Sequence, residues 1–168
     1  TGKEVRNFEG HRDAVTGVCF GAGGEKVVSG SADGTVKIWE TAAGRELNTF
    51  NGHQLAVWGV SFSSDGKLVV SASRDCSVKL WDAGNGWEIR TFKGHAGGIT
   101  GVCSSNDAKY IVSASLDHSV KLWETATGRE VRTFDDLLAY LITNKGPGDT
   151  VVLRVLRGTE QVDIPVVL

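Results

Sequence analysis

The chain has 168 residues, with 18 Lys and Arg against 20 Asp and Glu and a net charge of −2. This near-neutral balance excludes the strongly basic character of nucleic-acid and anionic-membrane binding proteins. No apolar run approaches the roughly 20 residues that a membrane helix needs, and no targeting motif is visible, so we expect no membrane partner.

A strand of six residues, KEVRNF at 3–8, is the first predicted element, and it lacks partner strands of its own. Three similar units follow. Each begins with an alternating apolar run (AVTGVCF, AVWGVSF or GITGVCS), passes a polar turn, and continues through two strands that end in WE or WD. A glycine turn leads into a final strand, ELNTF, EIRTF or EVRTF. Alternation of period two between turns predicts four short antiparallel strands per unit.

Histidine, aspartate and tryptophan recur in these units at one spacing of 42 residues. The positions are His11, His53 and His95; Asp33, Asp75 and Asp117; and Trp39, Trp81 and Trp123. A period of about 40–45 residues with four strands per repeat is typical of propeller blades.

The motifs that carry a family resemblance are Gly-His at each entry, SGSADG in the first unit, and WE or WD after the third strand. In these motifs the chain resembles the WD-repeat family over residues 1–134. The resemblance implies a mainly β fold with three four-stranded blades at about 9–50, 51–92 and 93–134. It also implies that residues 3–8 are a spare closing strand.

One hydrogen-bonded side-chain set per blade is a further implication of the resemblance. The sets are His11, Ser29, Asp33 and Trp39; His53, Ser71, Asp75 and Trp81; and His95, Ser113, Asp117 and Trp123. Ser, His and Asp are also the residues of a hydrolytic triad. Three identical copies, each with its serine facing an indole, indicate a structural network instead. No GxSxG, HExxH or P-loop motif occurs, so we predict no enzyme, no catalytic residues, no cofactor and no metal.

Two residues interrupt the glycine pattern of the turn that follows the second strand. Cys76 and His118 stand where the first unit has Gly34. We interpret His118 as a turn residue rather than a ligand, and for Cys76 the alternative to a turn residue is a reactive exposed thiol near Arg74. The three cysteines have no CxxC spacing and are expected to be free thiols, which favours a reducing, cytoplasmic compartment.

A protein partner on the rim around the channel is the function that the resemblance implies. The matching positions are Ala14, Thr16, Ala32, Ala56, Trp58, Arg74, Gly98, Thr100 and Leu116. Trp58 and Arg74 are the strongest anchors, because Trp and Arg are enriched at binding hot spots. The alternative is that Trp58 only packs against a neighbouring loop.

The repeat ends after Phe134. Asp135 or Asp136 is suited to cap a helix over 137–142, and strands follow at TVVLRVLR and QVDIPVVL, the second an edge or bulged strand because of Pro165. From about residue 129 this tail resembles the carboxyl-terminal part of a PDZ domain of high-temperature-requirement serine proteases. The tail has neither the carboxylate-binding loop nor the second strand of a PDZ domain, so the resemblance implies no peptide capture, and no protease domain is present.

Three wedge-shaped blades leave two faces uncovered, since propellers usually have 4–8 blades. We expect residues 3–8 to complete the third blade of a second copy, which gives a dimer with a six-bladed ring. The alternative is an irregular fourth element built within one chain from residues 3–8 and the tail.

Two functional hypotheses follow. The first is a non-catalytic interaction scaffold that assembles through its blade faces and by strand exchange. The second is a designed or recombined chimera of propeller and PDZ fragments with no natural ligand. Three observations favour the second: the absence of methionine, the start within a repeat, and the segment GREVRTF at 128–134, which fits both the last strand of a WD blade and the start of the PDZ-like tail.

Overall fold

The computed structural model describes residues 2–132, and the backbone alone of residues 150–157 and 160–167. The chain divides into two compact units, Thr1–Glu130 and Val131–Leu168. The first unit contains three antiparallel sheets, each built from consecutive strands of the chain.

The first two sheets each have four strands in chain order, as the alternating sequence pattern predicts. The first sheet consists of β1 Val15–Phe20, β2 Lys26–Ser31, β3 Thr35–Glu40 and β4 Glu46–Asn51, with a 3-10 turn at Ala22–Gly24. The second consists of β5 Val57–Phe62, β6 Leu68–Ser73, β7 Ser77–Asp82 and β8 Glu88–Lys93. Their registers are equivalent: Trp39 lies opposite Glu46, and Trp81 opposite Glu88.

The third sheet has three strands among the described residues: β9 Ile99–Ser104, β10 Tyr110–Ser115 and β11 Val120–Glu124. A single bridge between Trp123 and Glu130 marks the start of the predicted fourth strand. Val131 and Arg132 form no strand, and the rest of that prediction lies outside the described residues.

Residues 3–8, predicted as a closing strand, have no strand conformation in the structure. Among the described residues, no strand lies beside them to supply ladder hydrogen bonds. The segment instead follows the first sheet: Phe8 packs on Trp39 with ring centroids 5.9 Å apart, and Arg6 donates a hydrogen bond to the Ala42 carbonyl at 2.5 Å.

The second unit contains an antiparallel hairpin of β12 Thr150–Arg157 and β13 Glu160–Val167. Both predicted tail strands are therefore confirmed. Pro165 lies opposite Val152 in an uninterrupted register, so β13 has no bulge. The predicted helix at 137–142 lies outside the described residues. Within the described part of the chain, no helix has the length and apolarity to cross a membrane.

The core lies between neighbouring sheets. One cluster joins the first two sheets through residues such as Ile38, Phe50 and Val69. A second cluster joins the second and third sheets through Val70 and Ile99, among others. Val69 and Val70 are adjacent in β6 and enter different clusters, because successive side chains of a strand point to opposite faces. The second sheet is thus buried on both faces.

Phe50 provides a test of this packing. Its ring stacks on Trp81 at 5.4 Å and is only 1 % exposed. We predict that Phe50→Ala lowers the free energy of unfolding by about 3–5 kcal/mol, because it removes a large side chain from the joint between two sheets. Urea unfolding measures the change.

The matched control is Phe8→Ala. Phe8 makes the equivalent contact with Trp39 but is half-buried. We expect a clearly smaller loss of stability for this variant. Equal losses for the two variants would contradict the view that the joint between sheets provides most of the stabilisation.

Candidate functional site

A chain of hydrogen bonds joins four side chains in the first blade. Trp39 Nε1 donates to Ser29 Oγ at 2.8 Å, and Ser29 Oγ lies 2.7 Å from His11 Nε2. His11 Nδ1 lies 3.0 Å from Asp33 Oδ2. The structure therefore brings together the four residues that the sequence assigned to the first set.

The other two blades repeat this geometry. In the second blade the three distances from Trp81 through Ser71 and His53 to Asp75 are 2.8, 2.8 and 2.9 Å. In the third blade the distances between the equivalent atoms are 2.8, 2.8 and 2.8 Å, along Trp123, Ser113, His95 and Asp117.

The positions of the protons follow from donor and acceptor capacity. An indole N–H only donates, so the serine oxygen accepts from it and turns its own O–H towards His Nε2. Nε2 of a neutral histidine then accepts, and Nδ1–H donates to the aspartate. Every polar atom along the chain is satisfied, and this satisfaction is what permits its burial.

The serine, histidine and aspartate of each set have the same connectivity as a hydrolytic triad. Their surroundings differ from those of a triad. The serines at 29, 71 and 113 are at most 4 % exposed, and each accepts a hydrogen bond from an indole. A serine nucleophile needs access to the substrate carbon, which a buried side chain beneath a tryptophan does not have.

Sequence reasoning missed a fifth member of each set. Thr35 donates to Asp33 Oδ1 at 2.6 Å and lies 3.2 Å from His11 Nδ1. Ser77 and Ser119 hold the equivalent positions. The repeat spacing carried this signal, because a hydroxyl residue stands two positions after each aspartate.

Each aspartate also fixes the loop that enters its blade. Asp33 accepts the backbone N–H of Arg12, as Asp75 does that of Gln54 and Asp117 that of Ala96. Because the entry loop and the turn after the second strand meet at this carboxylate, its removal is expected to loosen both.

A second repeated network, also missed, lies on the outer half of the blades. Lys37 Nζ donates to Glu46 Oε2 and to Thr49 Oγ1, both at 2.7 Å. Lys79 makes the same contacts with Glu88 and Thr91. Lys121 binds Glu130 at 2.7 Å in the third blade. These ion pairs tie the third strand of each blade to the fourth.

In the hydrogen-bonded set of the second blade, the pKa values of the aspartate and the histidine both lie below their ordinary values. Burial alone would raise the pKa of Asp75, but hydrogen bonds from Ser77, the Gln54 N–H and His53 outweigh it and bring the pKa to about 2. Burial lowers the pKa of His53 below its ordinary value, against the opposing effect of Asp75. At neutral pH the pair is therefore a neutral imidazole beside a carboxylate.

The rim residues differ among the three blades. Thr16 donates to the carbonyl of Val57 in the next blade, so it fastens one sheet to another. Trp58 replaces this threonine in the second blade and is half-buried. A Cβ added at Gly98 would lie 3.0 Å from the Trp58 ring and 3.3 Å from Arg74 Cα, so the three residues meet between the second and third blades.

The remaining rim positions offer mostly small or exposed side chains. Arg74 and Thr100 are exposed, and Leu116 is exposed at the same level of the third blade. Ala14, Ala32 and Ala56 form the rest of the rim and present only methyl groups. The second blade thus carries the only large aromatic side chain among the nine rim positions.

The cysteines and the two unusual turn residues have simple structural roles. Cys19, Cys76 and Cys103, all within the described residues, form no disulfide, as predicted. Cys76 and His118 have φ of 65° and 68°, the left-handed region that Gly34 also occupies. No cluster of His, Cys, Asp and Glu suited to a metal ion occurs within the described residues.

The family model of the WD domain, G-beta repeat matches residues 2–40, 44–82 and 86–124. The chain belongs to the WD40 repeat family. Each matched repeat begins with the last strand of one blade and ends after the third strand of the next. Residues 3–8 therefore fall within the first matched repeat.

Solved WD40 propellers share this fold. The structure of U3-55K is 27% identical with a TM-score of 0.72, covering 77% of this chain and 41% of that one. The RRP9 WD40 repeats are also 27% identical with a TM-score of 0.72, covering 76% and 40%. The chain spans less than half the length of these propellers. WD40 repeat proteins are generally non-catalytic scaffolds.

Curated relatives match over about one repeat. Vegetative incompatibility protein HET-E-1 of Podospora anserina is 50% identical over 40 residues, which are 24% of this chain and 3% of that protein. POC1 centriolar protein homolog A of Danio rerio is 50% identical over 34 residues, 20% of this chain and 8% of that protein. These comparisons do not support a PDZ-like part or a chimera, and the WD40 matches end at residue 124.

Removal of one aspartate tests the role of the network. We predict that Asp75→Ala lowers the free energy of unfolding by about 1–3 kcal/mol, because it leaves the buried His53 and the Gln54 N–H without their acceptor. Thermal unfolding measures the loss. The control is Asp13→Ala, which removes an exposed carboxylate that binds the Ala14 N–H. An unchanged melting temperature for Asp75→Ala would refute a structural role.

Stability should also fall in acid. The pKa of Asp75 is about 2 when folded against 3.8 ordinarily, so protons bind the unfolded chain first and stability is lost as the pH drops from about 4 to about 2. His53 acts in the same direction below its ordinary pKa of 6.5, because its folded pKa is lowered. Unfolding free energies measured from pH 7 to 2 check both. Asp75→Asn should flatten the lower part of the curve.

Proposed function

We propose that this WD40 chain is a protein-interaction scaffold whose binding surface is the rim between its second and third blades. The supporting observation is the convergence of Trp58, Arg74 and Gly98 at that point. Part of the Trp58 ring has a structural role, because it packs over Gly98. The exposed remainder of the ring, with Arg74 beside it, offers the side-chain types that dominate binding hot spots.

The chemistry of the surface favours a partner with an apolar side chain next to a carboxylate. Two apolar side chains of the same two blades are also exposed: Leu55 in the loop before β5 and Leu116 in the turn after β10. Arg74 is suited to bind a carboxylate with two hydrogen bonds. Thr16 and Thr100 belong to the same rim but supply hydroxyls rather than anchors.

We further propose that the three hydrogen-bonded sets hold this rim in place. The turn that carries Arg74 continues directly into Asp75, whose carboxylate binds His53 and the entry loop. A rigid rim lowers the entropy cost of binding, since loop ordering on association otherwise opposes affinity.

Self-association is the other part of the proposal. Two copies are proposed to join through the uncovered faces of their first and third blades and by strand exchange, so that six blades form a closed ring. Apolar faces of this kind mark interaction sites when they are exposed. A ring of two identical chains has the symmetry that is commonest among oligomers.

Two substitutions test whether the rim between the second and third blades binds a partner. Trp58→Thr places the residue of the other two blades at this position, and Arg74→Ala removes the charge. We predict that proteins captured by the wild-type chain in quantitative cross-linking are lost from both variants, while the fold is retained in circular dichroism. Trp87→Arg is the control, since the exposed Trp87 lies in the turn before β8 and Arg45 is its counterpart. Equal capture by the Trp58→Thr variant would refute the rim surface.

A further inference from the structure

The outer face of the third sheet exposes residues whose counterparts are buried. Val120 is 69 % exposed, whereas Val78, at the equivalent position of the second sheet, is 0 % exposed. Val112 and Leu122 are exposed on the same face, and their counterparts belong to the buried cluster that joins the second and third sheets. Among residues 2–132, no strand packs on this face.

The first sheet likewise exposes apolar residues, on the face that is turned away from the second sheet. Phe20 is 67 % exposed, whereas its counterpart Phe62 is 7 % exposed in the joint between the first two sheets. Val15 and Val18 are exposed beside Phe20. One end of the molecule thus carries half of a joint, and the other end carries the other half.

The two halves match because the molecule already contains the complete joint twice. In each internal joint, the second, third and fourth strands of one sheet meet the first, second and third strands of the next. The exposed faces carry mostly the same residue types at these positions. A second copy of this chain is therefore the occupant that fits, with its first sheet against the third sheet of its neighbour.

The backbone near the propeller axis supports this match. A Cβ added at Gly17 would meet the Trp58 carbonyl oxygen at 3.0 Å, and one at Gly59 would meet Gly101 Cα at 3.2 Å. A Cβ added at Gly101 would meet nothing within 4 Å. All three glycines allow the next blade to approach closely. Among residues 2–132, no blade lies against Gly101.

Residues 3–8 are held where the last strand of a preceding blade would lie. Phe8 packs on Trp39 as Phe50 packs on Trp81. Arg6 binds the Ala42 carbonyl as Arg90 binds the Ala126 carbonyl. When a second copy places its third sheet against this end, the edge of β11, on which the described residues form only the bridge between Trp123 and Glu130, comes beside residues 3–8.

From these contacts we infer the register of the exchanged strand. Residues 3–8 of one copy pair with β11 of the other, so that Asn7 lies opposite Lys121, and Glu4 lies opposite Trp123 and binds Lys121. This register is the one in which β3 pairs with β4 and β7 pairs with β8. In those pairs Lys37 lies opposite Thr49, and Lys79 lies opposite Thr91. The inference rests on the proposed self-association and adds its contacts.

The exchanged segment competes with the chain's own residues 129–134. KEVRNF and REVRTF differ at two positions, and both carry the glutamate that lies opposite tryptophan. Glu130 holds Lys121 at 2.7 Å within one chain. Exchange replaces this glutamate with Glu4, so the ion pair is retained while the two apolar faces become buried. At the edge of β11, residues 3–8 of one copy thus displace residues 129–134 of the other.

A disulfide test fixes the register. The starting variant carries Cys19→Ser, Cys76→Gly and Cys103→Ser, which place the sister residues Ser61 and Gly34 at these positions and remove the natural thiols. In this background Asn7→Cys with Lys121→Cys should give a disulfide-linked dimer on a non-reducing gel, because directly opposite Cβ atoms lie about 4.5–5.5 Å apart.

Two controls bracket the result. Lys79→Cys with Thr91→Cys occupies the equivalent pair within one blade and should form a disulfide inside the monomer. Asn7→Cys with Leu122→Cys shifts the register by one residue, which points the second thiol to the opposite face, and should give no cross-link. Light scattering on the starting variant measures the mass, expected at twice 17.9 kDa.

The outcomes separate the register from self-association. A double mass with a disulfide only in the internal control pair overturns the register and leaves self-association standing. A mass of one chain overturns both. A ladder of cross-linked species supports the register but overturns the closed ring of two.

Discussion

Each of the three sheets of the first unit has two apolar faces, and the need to bury both is the constraint on which the rest of this unit depends. Val69 and Val70 show the constraint at the level of single residues, since neighbours in one strand enter different clusters. A sheet with two apolar faces cannot remain isolated in water. The stacking of sheets, the close approach at Gly59 and the packing of Phe8 on Trp39 all serve this burial.

The hydrogen-bonded sets solve a second problem that the stacking creates. The loops that join the strands carry backbone groups that need partners, yet they border a dry interior. Asp33 provides such partners for two of these groups, the N–H of Arg12 and that of Thr35. The indole of Trp39 then links this polar chain to the apolar core, so one residue belongs to both systems.

Much of the fold could be predicted because the repeat shows each feature three times. The strands and the four residues of each set lie at fixed positions, so chance similarity is excluded. Thr35 and the ion pair of Lys37 with Glu46 were missed for a physical reason. Hydroxyl and charged residues are common on exposed strand positions, and their pairing depends on which strands become neighbours. The repeat spacing shows that these positions recur, but the partner of each side chain is known only once the register is known.

The ends of the repeat array were harder to predict than its middle. Residues 3–8 have the sequence of a strand, but a strand exists only where a neighbour supplies its hydrogen bonds. The same limit applies to the start of EVRTF, where Glu130 forms a bridge while Val131 and Arg132 form no strand. The local sequence determines whether a segment is able to form a strand. Whether it does so depends on the presence of a neighbouring strand edge with which it can pair.

The burial of the second sheet on both faces has a consequence for the dynamics of the molecule. In a stacked array each sheet gains stability mainly from its nearest neighbours. Among the described residues of a single chain, only the second of the three sheets in the first unit has a neighbour on each side, so in the monomer its amide protons are the most protected from exchange with solvent. The first and third sheets open more readily, and they can do so independently of each other. Folding that starts at the second sheet would have two surfaces on which to grow, one in each direction along the chain.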